Sequence, residues 1–170
     1  MERWIHAVGG AVGGAVGTAF MQAGMKLDPK LPEAAQAPKL RSDPGDFLVQ
    51  QGERTAGVKL PKDTHETVAH SLHWTYGVGW GALLGMTIPR AFARSLPETM
   101  LAGAGMGAAC WAAGYVGWLP AAGLAAPIHR QGATHAASSL ATHLIFGVLS
   151  ALPIYALSRM LRPKRLFGFL

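Results

Sequence analysis

The sequence of 170 residues contains a single cysteine, Cys110. No internal disulfide can form, and no metal site can be built from several thiolates. Cys110 reads as a small, polarizable packing residue. Carboxylates are also scarce, nine in all, and every one lies at or beyond the edge of a charge-free stretch. That placement weighs against paired-carboxylate hydrolysis and against a carboxylate-driven ion transporter. The sequence has no glycine loop of the phosphate-cradling kind and no Ser/His/Asp arrangement with a usable acid.

The largest absence is charge itself. Residues 4–25 (22 residues), 67–89 (23), 99–129 (31) and 131–158 (28) carry none, so all 24 charges fall in the other 66 positions. A helix crossing the hydrocarbon core needs roughly 20 consecutive, mostly apolar residues. Four such windows exclude an ordinary soluble domain and predict an all-α fold: a four-transmembrane-helix bundle built from two similar two-helix hairpins. The expected spans are about 4–25, 67–89, 99–119 and 138–158, joined by a polar loop over 27–63. Too few residues are left outside for a separate catalytic domain, so the chain reads as non-enzymatic. Residues 4–25 are glycine-rich, without a leucine-dense core or a clear cleavage site, and are read as a retained span rather than a signal peptide.

Charge at the span ends gives the expected orientation. Arg3, Arg90, Arg94, Arg159, Arg162, Lys164 and Arg165 face Glu2 and Glu98 on one side, a net of +5, whereas the other side nets +1. Short basic flanks stay inside, which predicts a multi-pass membrane protein with both termini cytoplasmic. The basic cluster Arg159, Arg162, Lys164 and Arg165 suits an anionic leaflet. The net charge of +6 is therefore a matter of membrane orientation, not of nucleic acid. Within 27–63 the apolar knot Phe47-Leu48-Val49 follows the turn signal Asp43-Pro44-Gly45-Asp46 and is expected to pack on the bundle rather than lie on the membrane.

An internal repeat at an offset of 70 residues supports the two hairpins. THETVAHSLHWTYGVGWGALL and THAASSLATHLIFGVLSALP align Thr64 with Thr134, His65 with His135, His73 with His143 and Gly77 with Gly147. Glycines four apart (Gly9, Gly13 and Gly17; Gly77, Gly81 and Gly85; Gly103 and Gly107; with Gly147) predict close helix packing, within the monomer or in a homo-oligomer. Pro153 should bend the last span and free the carbonyl of Leu149, with Ser150 near enough to help satisfy it.

His65, His70, His73, His135 and His143 gather at the outer ends of the second and fourth spans. Three readings stay open. They are polar glue, bonding to backbone carbonyls, Thr142, Ser139 or Tyr76. Alternatively, His73 and His143, with His70, bind haem b or a transition metal in a subunit of a larger redox complex. Gly77 and Gly147, one turn beyond, would then make room. Or the histidines handle protons. A small oligomeric transporter or channel is a further alternative.

The segments GGAVGGAVGTAFMQAG with KLDPKLP, His73 and its aromatic followers, LAGAGMGAACWAAGYVGWLP and THLIFG resemble the YagU-like family of small bacterial inner-membrane proteins of unknown function. The resemblance covers the membrane portion and implies four spans in a bacterial plasma membrane. It brings no catalytic residues. An association with acid or envelope stress would fit the histidines by analogy.

Overall fold

The computed structural model describes residues 2–161; of the basic cluster, Arg162, Lys164 and Arg165 lie outside them. The described residues form helices and connecting turns, with no strand. In chain order the helices are α1 (Glu2–Leu27), α2 (Pro44–Ala56), α3 (Lys62–Thr87) and α4 (Leu96–Trp111). The last continues as a π-helix through Ala112–Trp118 and ends in a single turn, α5 (Leu119–Ala121); α6 (Ala133–Met160) closes the fold.

Helix ends follow capping chemistry rather than the limits of the charge-free windows. α3 begins at Lys62, five residues before its window, because Pro61 precedes it and the Lys62–Glu66 pair, 3.8 Å apart, supports its first turn. α6 starts at Ala133 after Gly132, whose φ of 82° strongly favours glycine. The segment expected as a loop contains α2. Asp43 caps it by accepting from the backbone of Gly45 (2.7 Å) and Asp46 (3.1 Å), and Pro44 takes the first helical position. Gly57, at φ 66°, ends it in the left-handed conformation.

The long helices pack in the order α3, α1, α6, α4. The extensive contacts are α1 on α3, α4 on α6 and α1 on α6, while α3 and α4 barely touch. Glycines set this order. Gly10 and Gly14 of α1 meet α3, where a Cβ at Gly81 would come 2.8 Å from Gly14 Cα. Gly9, Gly13 and Gly17, one position round, meet α6; a Cβ at Gly13 would sit 2.8 Å from Ser150 Cα and one at Gly17 2.6 Å from the Phe146 ring. One helix thus serves two neighbours through adjacent registers. In the other pair, a Cβ at Gly147 would lie 2.8 Å from the nitrogen of Gly107, and one at Gly103 2.8 Å from Ala151 Cβ. Gly85 lies against Ala7 and Gly77 against the Thr18 hydroxyl.

The large apolar side chains of α1 point the other way. Trp4, Val8, Val12, Val16 and Phe20, four apart, are all exposed. At one end of the bundle His6 Nε2 and Ser158 Oγ are 2.9 Å apart in a buried pair between α1 and α6. At Pro153 the outcome differs from expectation: Ser150 Oγ donates to Phe146 O (2.8 Å), four residues back, and not to the Leu149 carbonyl.

Candidate functional site

The polar end of the bundle is covered by the segment between α1 and α3, folded as a cap. Its ties run to distant parts of the chain. Ser138 Oγ donates to Ala35 O (2.5 Å), His135 Nδ1 lies 2.8 Å from Gln36 O, and Arg41 N donates to Leu124 O (2.9 Å). Leu40 and Phe47 pack on a small core of Leu119, Leu124 and Ala125. Val49 is buried, and Gly45 sits against the Ala69 carbonyl of α3, where a Cβ would approach to 2.5 Å. The Phe47-Leu48-Val49 knot is thus helical and rests on the bundle.

Each histidine of the expected cluster has its own surroundings. His65, at the start of α3, is gripped by α2: its Nδ1 is 3.2 Å from Glu53 Oε1 and its Nε2 3.6 Å from Asp46 Oδ1. His70 is exposed and accepts from Trp74 Nε1 at 2.8 Å. His135 is tied to the cap as above. His143 Nδ1 lies 2.7 Å from Ser139 O, one turn back, and its ring meets the edge of Tyr115 at 5.7 Å. His73 is half-buried, within electrostatic reach of Asp43, His70 and His143.

Glu53 of α2 is bonded from two sides. It accepts from the Leu60 backbone N–H (2.9 Å) and faces His65. Its side chain is 14% exposed. The Leu60 bond first, then the His65 bond, hold its carboxyl below the usual 4.5. Lys59 adds a nearby positive charge. Charge distribution alone did not single out this residue. The available signal was the Asp43-Pro44 helix start and the Gly57 stop, which together place Asp46 and Glu53 two turns apart on one helix.

The residues around His73 and His143 do not fit a haem. The room that Gly77 and Gly147 would provide is filled: Thr18 occupies the space beside Gly77, and the backbone of Gly103 and Gly107 occupies that beside Gly147. Among the described residues, no three His, Cys, Asp or Glu side chains gather to hold a metal ion.

Among the described residues, two stretches are apolar enough by length and composition to cross a membrane, Arg3–Lys30 and Ala133–Met160. α3 opens with the polar run KDTHET, and α4 gives way to the π-helix after 16 residues. No family model, curated protein or solved structure matches the chain. The likeness to the YagU-like family therefore rests on the quoted segments.

Proposed function

We propose that the chain is a non-enzymatic, four-span membrane protein whose folded outer cap is held to the bundle by an acid-labile clasp. The membrane part of this reading is supported by the distribution of side chains on α1. Its glycines from Gly9 to Gly17, with His6 and Thr18, face inward, and Trp4, Val8, Val12, Val16 and Phe20 face outward. Soluble monomers rarely expose a continuous apolar stripe of that length. In lipid, close backbone packing rather than water exclusion holds helices together. α3, which opens with a polar run, and α4, apolar but only 16 residues long before its π-helical continuation, complete the bundle beside α1 and α6.

The observation that carries the functional reading is Glu53 bound at once to Leu60 N and His65. It ties α2 both to the following turn and to α3. A carboxylate with a depressed folded pKa stabilises above its unfolded value, and that stabilisation is lost as pH falls through the folded value. The clasp therefore holds through neutral and mildly acidic conditions and opens below 4.5, the ordinary value for this carboxyl. Such a protein would report strong acidification at the outer membrane face, in line with an acid- or envelope-stress role. Backbone hydrogen exchange of α2 across pH tests it, with Glu53→Gln as the comparison.

A further inference from the structure

We infer that the π-helix Ala112–Trp118 is a register switch, held in its present form by Gln131 and the cap, and that it rewinds to an α-helix when the cap lifts. The inference rests on the reading of that cap as releasable. A π-turn is rare and sits most often inside an α-helix at a functional position. Here one carbonyl shows what the turn displaces. Leu119 N–H donates to Gly114 O, five residues back, and Pro120 has no N–H. The α-helical donor to Tyr115 O is thus committed elsewhere, and the π-helical donor does not exist. Gln131 takes their place: its Nε2 donates to Tyr115 O at 3.3 Å and to Ala126 O at 2.7 Å. In lipid such a carbonyl must find its partner within the protein.

Two features bring the registers close in energy. In an α-register Leu119 would donate to Tyr115 O, four residues back, and Gln131 would no longer be needed there. In the π-register Gln131 is buried, and no donor among the described residues reaches its Oε1. The clamped form thus keeps an unsatisfied acceptor that the released form turns to solvent, which offsets the bonds lost. The cap decides between the two. Its Leu40 and Phe47 pack on Leu119, Leu124 and Ala125, and Arg41 N donates to Leu124 O at 2.9 Å. It therefore braces the connection from which Gln131 reaches back to the π-helix. The register in turn sets the place of the Tyr115 ring, which stacks on Trp111 at 6.5 Å and lies against the His143 ring at 5.7 Å. Trp111 Nε1 donates to Ser139 Oγ at 2.9 Å. A change of register carries the state of the cap to α6, inside the bundle.

The test reads the carbonyl-carbon magnetic resonance of Tyr115 in the full-length protein, in detergent micelles at neutral pH. Labelling tyrosine at its carbonyl carbon and valine at its nitrogen marks the Tyr115–Val116 bond alone, since Tyr76 precedes Gly77 and Tyr155 precedes Ala156. A stronger hydrogen bond moves this resonance to higher frequency. Phe47→Asp frees the cap without acid, and Gln131→Met removes the clamp. Both should move the resonance to higher frequency, as Leu119 replaces the long bond from Gln131. Phe47→Asp keeps every clamp residue, so the reading does not depend on Gln131→Met folding. Deleting Val116, an exposed residue, sets Gly114 and Leu119 four apart and removes the second register. Phe47→Asp should then cause no further movement. An unmoved resonance in Phe47→Asp would overturn the switch, because the cap would not be coupled to the π-helix. Movement to lower frequency in either variant would overturn it too, since the clamp would then open without rewinding. So would a Phe47→Asp movement that persists after the deletion. None of these results touches the acid clasp, which is read at α2, and an α2 without an acid step would leave this test at neutral pH in force.

Discussion

Gly10 of α1 and Gly81 of α3 face each other so closely that a side chain on either would land on the other's carbonyl oxygen. The same condition holds between Gly103 and Gly147 in the α4–α6 pair. The bundle is therefore joined backbone to backbone at its tightest points, and the large side chains of α1 are left for the outer surface.

Substitution at these points should be costly, and at neighbouring glycines it should not. Gly81→Ala forces a methyl against the backbone of Gly10 and Gly14, which cannot rotate away. The expected cost is about 1–3 kcal/mol, as for other overpacked sites. Gly79, on the same helix, has nothing within 4 Å of its missing Cβ. Gly79→Ala should be neutral or stabilise by roughly 0.5–1 kcal/mol through helix propensity. Thermal unfolding of both variants in the same detergent checks the contrast.

Orientation is open to chemical labelling. With Cys110 replaced by alanine, a cysteine at Gly52, an exposed position on α2, should react with a membrane-impermeant thiol reagent in intact spheroplasts. A cysteine at Ala91, in the exposed α3–α4 connection, should react only after the membrane is opened. The reverse pattern would invert the topology, and equal labelling of both sites in intact spheroplasts would remove the membrane reading.

The glycine registers and the charge-free windows made the helices and their close packing legible, because both are local patterns. The cap was not legible as a folded unit. Its ties join residues about a hundred positions apart, such as Ser138 with Ala35 and His135 with Gln36, and periodicity carries no such information. The histidines looked like one cluster because the alignment of the two sequence segments would put them at similar depth. Helix rotation separates them in the structure, sending His70 outward and His65 toward α2. His6 drew no attention as a lone histidine near the start of α1, yet it makes the buried pair with Ser158.

Packing around His73 and His143 makes a clear statement about cofactors. Protein purified from a haem-replete host should show no Soret band, because the glycine gaps beside both residues are filled by Thr18, Gly103 and Gly107. A stoichiometric Soret band that disappears in His143→Ala would reinstate the bis-imidazole reading.

The clasp is tested most directly by hydrogen exchange of the α2 backbone, Pro44–Ala56, measured from pH 7 down through the acid range and corrected for intrinsic rates. Because Glu53 is held below 4.5 by Leu60 and His65, native protein should keep its protection to below that value and then lose it in a step. Glu53→Gln, which has no charge to lose, should be less protected at neutral pH and should lack the Glu53 part of that step. An acid step unchanged in midpoint and amplitude in Glu53→Gln would contradict the account.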